Sequence, residues 1–397
     1  MNIPLTRPFF GKEELEAIAK PLQSGWVVQG PHVQQFEEKM ARFVGSREAV
    51  ATSSCTAALH VALAALELQP GQEVIVPAFT WVATANVVEF LHAKPVFCDI
   101  ELQTFNLDVN RIEELITERT AGILPVHQFG LPAEMDRILF LAEKHHLWVV
   151  EDCACALGSR ISDRHVGTFG QAGCFSFHPR KCITTGEGGM IVTDSEEIAR
   201  KARILRNHGA SISDFSRHQS ENGFLLPEFP FMGFNYRMTD IQGALGCAQM
   251  QRLQWILHER IQKAEQYFEA LKEIEWLRLP VVPDGMLHTF QSFVCLFWPA
   301  EPSWDNLSEL HAIRNRLMHF LQKQGIATRP GTVAVPVQTY FSKKYGYQPH
   351  MFPEAYIAEK LSVTLPLYAG MTEEEQNFVI SQIKRFDFKL RKTAVIN

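Results

Sequence analysis

Short apolar runs at residues 49–52, 73–77, 95–99, 121–126 and 147–152 alternate with stretches of helical spacing over 57–66, 84–90 and 135–145. This alternation is the strongest constraint on the fold. Strands apolar on both faces are buried on both faces, and strands joined by a helix-length crossover run parallel. The pattern predicts an α/β protein with a mainly parallel sheet covered by helices. Ligands in such sheets bind beyond the carboxyl ends of the strands. Asp152, the last residue of the 147–152 run, stands at such an end.

Residues 175–189 form the second informative stretch. A short apolar strand runs into a polar turn that carries Lys181, with Gly186, Gly188 and Gly189 following it and a β-rich run at 190–193. A lysine at a strand end becomes a nucleophile toward carbonyl groups when burial lowers its proton affinity. Glycines let the backbone close around a bound group. In outline this is a Schiff-base arrangement. A lysine beside glycines is more often a solvated turn residue, and the wider set of residues decides between the two. Asp152 is more often a helix cap when taken alone, yet a carboxylate beside a pyridine nitrogen keeps it protonated, which makes a pyridoxal ring an electron sink. From Asp152 to Lys181 the chain has room for a turn, an exposed loop at 160–170 and a return strand. Ser53-Ser54-Cys55-Thr56 between a strand and a helix suits a phosphate, through the helix N–H groups and the hydroxyls, although Ser and Thr there also cap helices.

The remaining chain reads as an arm of weak periodicity over 1–30, a helix over 33–43, a charged helix over 196–206 and an irregular loop over 210–230. A proline-free helix at 241–271 is expected to join two domains, 1–250 and 251–397. In the smaller one, strands are expected at 294–297 and 325–329, with a closing helix over 371–386 that starts on a Thr372/Glu375 capping box. The 397 residues suit a large domain plus a smaller one. With 46% apolar and 21% charged residues and a net charge of −6, the composition is that of an ordinary globular protein with no basic surface for nucleic acid. There is no secretory leader and no apolar run of membrane-spanning length, so a cytoplasmic location is expected. The eight cysteines lack CxxC pairs and ligand spacing, which argues against a zinc site or a disulfide framework. Dinucleotide, P-loop, zinc-protease and serine-hydrolase signatures are absent.

Taken together, the stretches Gly25-Trp26-Val27 to Gly30-Pro31, Val74 to Thr84, Pro125-Val126-His127, Val150-Glu151-Asp152, Phe175 to Lys181, Ile183 to Gly189, Leu205 to Gly209, Asn235-Tyr236-Arg237-Met238 and Leu365-Pro366-Leu367-Tyr368 resemble the DegT/DnrJ/EryC1/StrS family. These are sugar aminotransferases of pyridoxal-phosphate (PLP) fold type I. The resemblance implies a seven-stranded large-domain sheet, a smaller C-terminal α+β domain, and PLP, alternating with pyridoxamine phosphate, as cofactor. It implies that Lys181 carries the cofactor and moves the proton, that Asp152 pairs with the pyridinium, and that Trp81 stacks on the ring. Thr56, the backbone of Cys55, and Ser176 would hold the phosphate, and Asn235 would reach the phosphate in a neighbouring subunit, making the active unit a homodimer. Cys155 stands where the family usually has Gln, His or Glu near the ring hydroxyl, and Cys55 where it usually has glycine.

The implied reaction moves an amino group, from glutamate, to a keto carbon of a nucleotide-linked deoxysugar. A keto-cyclitol acceptor and a non-catalytic regulatory or scaffold member are the alternatives. Relatives that act as sugar dehydratases replace the lysine, commonly with histidine, and Lys181 argues against that class. His288 and Arg329 are candidate substrate contacts, Arg329 toward a diphosphate or a donor carboxylate; a surface arginine at a strand-end turn is nearly as common.

Overall fold

The computed structural model describes residues 1–220, 224 and 226–388. The amino-terminal part contains α1 (Lys12–Ser24), α2 (Pro31–Val44), β1 (Glu48–Thr52), α3 (Cys55–Ala65), β2 (Glu73–Pro77), β3 (Phe79–Thr80), α4 (Ala83–Phe90), β4 (Lys94–Cys98), β5 (Thr120–Ile123), α5 (Met135–Lys144) and β6 (Trp148–Asp152). Then follow β7 (Arg160–Ile161), β8 (Arg164–His165), β9 (Ala172–Ser176), β10 (Gly189–Thr193), α6 (Glu196–Leu205), α7 (Asp214–Gln219) and α8 (Asp240–Leu271). The carboxyl-terminal part holds β11 (Leu277–Arg278), β12 (Met286–Leu287), β13 (Phe293–Phe297), α9 (Leu307–Lys323), β14 (Val333–Ala334), α10 (Thr339–Tyr345), α11 (Pro353–Leu361), β15 (Ser362–Leu365) and α12 (Glu373–Arg385).

A seven-stranded sheet in the order β1-β10-β9-β6-β5-β2-β4 forms the centre. Neighbours from β9 through β4 are parallel, and β10 is antiparallel to both β9 and β1. The single reversed strand follows from the chain: β10 returns from β9 through the non-helical turn that carries Lys181, and without a crossover element the two strands pair antiparallel. The central strands are buried along almost their whole length, as their apolar sequence requires. A smaller antiparallel sheet, β11-β13-β15, packs on α8, α9 and α12.

Some elements depart from the sequence reading. The arm holds a helix, α1, pinned to α8 because the buried Glu14 carboxylate accepts hydrogen bonds from the Gly11 N–H, Gln249 Nε2 and Arg252 Nε. The irregular 210–230 stretch contains the short α7, and residues 221–223 and 225 lie outside the described set. No strand forms at 325–329: only single bridges occur, Ile3 to Ile326 and Arg329 to Thr364, since Pro330 has no N–H to continue a ladder. The 160–170 loop is a β7–β8 hairpin paired with β12, and His165 and Val166 within it are buried. The expected proline-free helix at 241–271 is present as α8, a continuous helix of 32 residues.

Helix α12 begins as its sequence demands. Thr372 Oγ1 accepts from the Glu375 N–H (3.1 Å), and Glu375 Oε2 accepts from the Thr372 N–H (2.9 Å). Thr372→Ala is expected to cost about 1 kcal/mol, read as a lower urea midpoint with unchanged slope; no shift in midpoint would show the box to be idle.

Candidate active site

β6 ends in two adjacent acids, and strand alternation sends them to opposite faces of the sheet. Asp152 faces a cavity of about 500 Å³. Its Oδ2 accepts from Thr84 Oγ1 at 2.9 Å and its Oδ1 from the Ala154 N–H at 3.0 Å. Burial pushes its carboxyl above the usual range, against these donors and the Lys181 charge. A carboxylate held this way is poised to take a cation beside it.

Lys181 reaches the same cavity from the turn after β9. Its N–H bonds the His178 carbonyl at 2.8 Å, and Nζ lies 3.2 Å from Cys155 Sγ. The turn is tied by Phe177 N–H to Gly188 O and by Thr184 Oγ1 to Phe177 O. Gly189 has no room for a side chain: a Cβ there would lie 2.3 Å from the Ser54 carbonyl and 2.5 Å from the Cys55 nitrogen. That close approach seats the lysine turn against the start of α3.

The first turn of α3 supplies the cavity's anion end. Ser54 Oγ accepts from the Ala57 N–H at 3.1 Å, so this hydroxyl caps the helix, and Ser54, Cys55 and Thr56 line the cavity. The Cys55 thiol is turned to the Cys174 carbonyl, 3.6 Å away, with its acidity suppressed by burial, leaving the backbone of this residue for an anion. Ser176, at the end of β9, also lines the cavity. A helix N-terminus flanked by hydroxyls, a buried carboxylate and an amine thus share one space, which fits a phosphorylated pyridine aldehyde: phosphate at α3, ring nitrogen at Asp152, carbonyl at Lys181.

Of the other expected residues, Trp81 stands at the cavity with 62% of its surface exposed, Cys155 lies beside Lys181, and Arg329 forms part of the wall. Asn235 is exposed, pairs by its backbone with Asn207 and does not line its own chain's cavity. His288 is not brought to the cavity. Its ring is buried and stacks on Phe290 with centroids 3.9 Å apart, its Nδ1 accepts from the Phe290 N–H, and burial pushes its pKa down to about 3. The pairing of β12 with β7 and the Thr289 N–H bond to Gly130 O hold this segment away from the cavity. Gln291 lines it instead and donates to the Arg180 carbonyl at 2.7 Å. Thr84 and Arg180 were not singled out by the sequence. Thr84 sits one helical turn past Trp81, a spacing that could have flagged it.

On the other face, the fully buried Glu151 carboxylate accepts from His127 Nε2 at 2.9 Å and from the N–H groups of Gly167, Phe169 and Gly170 at 2.7–2.8 Å. His127 Nδ1 accepts from the Ala133 N–H at 3.0 Å. Both side chains are thereby saturated, so their proximity to Cys153 is packing.

Fold and site define an aminotransferase of PLP fold type I. Among solved structures, the putative sugar aminotransferase Spr1654 from Streptococcus pneumoniae, in its PMP form, superposes with a TM-score of 0.89 at 28% identity over 97% of this chain and 98% of that one. Helicobacter pylori PseC, an aminotransferase involved in the biosynthesis of pseudoaminic acid, gives 0.87 at 26% identity over 97% and 99%. The spore coat polysaccharide biosynthesis protein SpsC of Bacillus subtilis is 37% identical over 382 residues, 96% of each chain. The chain belongs to the DegT/DnrJ/EryC1/StrS aminotransferase family, which it matches over residues 8–384. Among the described residues no helix is long and apolar enough to cross a membrane.

Proposed function

We propose that this enzyme transfers an amino group from L-glutamate to a keto carbon of a nucleotide-linked deoxysugar, as a cytoplasmic homodimer. The observation that carries the reading is the joint placement of Lys181 and Asp152 in one cavity that begins at the amino end of α3. Relatives named for spore coat polysaccharide and pseudoaminic acid biosynthesis support a sugar acceptor. Eight free cysteines suit a reducing compartment.

When bound, PLP supplies the electron sink that lets nitrogen pass from one carbon to another. The protein's residues supply the rest. Asp152, shielded from water, stabilises positive charge at the ring nitrogen through its fixed carboxylate. The α3 N–H groups with Ser176 and Thr56 hold the phosphate, and Trp81 offers a flat apolar face beside them. The Lys181 amine removes the proton at the donor's Cα and returns protons in the second half-reaction, from a turn too constrained to wander. Asn235, exposed on its own subunit, reaches the phosphate in the partner's cavity, so the site is complete only in the dimer.

The test incubates holoenzyme with glutamate and a panel of nucleotide-linked 3-keto and 4-keto deoxysugars beside free keto-cyclitols. We expect 2-oxoglutarate and an aminated nucleotide sugar in equal amounts by mass spectrometry. Amination confined to the free cyclitols would overturn the acceptor assignment.

A further inference from the structure

The cavity holds a sulfur that the amino-transfer chemistry leaves unused. Cys155 Sγ lies 3.2 Å from Lys181 Nζ, and among the described residues this thiol is the one hydrogen-bond partner of that amine. The two side chains meet because β6 and β9 are parallel neighbours, so the turns that follow them open onto the same space. Cys155 is half-buried and lines the cavity, which gives a small solute a path to the sulfur.

The other cysteines are placed differently. Burial suppresses the acidity of Cys55, Cys98, Cys153, Cys174, Cys182, Cys247 and Cys295. A thiol kept protonated in apolar surroundings is slow toward peroxides. Cys182 follows Lys181 directly in the chain, yet it packs against the apolar cluster that holds Phe177, Ile183 and Leu253. An oxidised Cys155 therefore meets an amine before it meets a second thiol.

We propose that Cys155 and Lys181 form a modification site, at which hydrogen peroxide links the two side chains by a reversible sulfur–nitrogen bond. In the first step the sulfur takes an oxygen from the peroxide. The O–O bond breaks, an S–O bond forms, the sulfur is oxidised by two electrons and the peroxide is reduced to water. In the second step the lone pair of the neutral Lys181 amine attacks that sulfur. The S–N bond forms, the S–O bond breaks, and the departing hydroxide takes a proton from the nitrogen to leave as a second water. Two equivalents of an external thiol reverse the link: Cys155 and Lys181 are regenerated and the external thiol is oxidised to its disulfide. The dependence on cofactor form rests on the aminotransferase reading above. The Lys181 amine is free beside pyridoxamine phosphate and engaged with the carbonyl of PLP, so the link forms in the first state. There it ties up the proton-transfer base and shields the sulfur from irreversible oxidation.

The test exposes two holoenzymes, one loaded directly with pyridoxamine phosphate and one with PLP, to hydrogen peroxide and maps their peptides by mass spectrometry. The pyridoxamine phosphate form should yield a cross-linked species lighter by two hydrogen atoms than the sum of its peptides, joined at Cys155 and Lys181 and uncut by trypsin after Lys181. The PLP form should be spared. Turnover of the linked enzyme should fall roughly 10²- to 10⁴-fold, the contribution of a positioned base, and dithiothreitol should restore both turnover and peptides. Cys182→Ser should form the link as wild type does. In Lys181→Ala, which offers no amine, Cys155 should advance to the sulfinic acid, which dithiothreitol does not reverse. A Cys155–Cys182 disulfide, an oxygen-bearing Cys155 beside a free Lys181, or turnover that dithiothreitol fails to restore would each overturn the proposal. Because each cofactor form is loaded directly, the link is read whether or not glutamate is a donor. Equal linking in both forms, or a PLP form inert toward every α-amino acid, would instead overturn the aminotransferase reading.

Discussion

Lys181→Ala should leave a folded, cofactor-competent protein that does not turn over. Proton transfer by a positioned base contributes roughly 10²- to 10⁴-fold, and the substitution also removes the amine that condenses with the cofactor carbonyl. Both losses fall on one side chain, so the decrease should be at the upper end of that range or beyond it. Stability should change little, because among the described residues Nζ of Lys181 has the Cys155 thiol as its one hydrogen-bond partner and the turn is tied by Phe177, Thr184 and Gly188. Wild type with PLP should show an absorbance band near the visible edge that glutamate bleaches. The variant should lack the band while melting within a degree or two of wild type. A variant that keeps the band and more than a tenth of the turnover would show that another group carries the chemistry.

How far the sequence revealed this arrangement depends on the range of the forces that set each part. Strands β2, β4 and β6 and helices α4, α5 and α12 were legible because burial periodicity and capping are local. Asp152 was legible because a strand end can be placed by counting. The partners of Asp152 were not: Thr84 is 68 residues away, and only the sheet order brings β6 to the start of α4. His288 looked polar and available, yet the β12–β7 pairing buries it on Phe290 and leaves Gln291 to face the cavity. The 325–329 stretch has a strand's composition, and its neighbour Pro330 limits it to a single bridge. Pairings of this kind are tertiary decisions that a one-dimensional pattern does not contain.

The same gap between pattern and environment separates the two acids that end β6, and it predicts substitutions of opposite sign. Burial by itself would raise the proton affinity of Glu151. The hydrogen bond from His127, followed by the Gly170 and Gly167 N–H groups, outweighs it and holds the carboxyl below its usual range. A carboxyl lowered on folding stabilises the protein above its unfolded pKa of 4.5 and loses that contribution as pH falls through the folded value. Asp152 is shifted the other way, so its ionised form costs stability at neutral pH, a cost that shrinks as pH falls. Glu151→Gln places an amide NH₂ against groups that already donate. It should destabilise the protein by about 3–5 kcal/mol, the scale of a broken buried pair, and flatten the acid limb of the stability curve below pH 4.5. Asp152→Asn keeps an acceptor for Thr84 or Ala154 without the buried charge, so the cofactor-free protein should become more stable while its half-reaction fails. Urea midpoints of both variants between pH 3.5 and 7.5 decide the matter. A cofactor-free Asp152→Asn protein less stable than wild type at pH 7 would mean that the carboxylate holds the fold together, and that its burial is not a strain kept for catalysis.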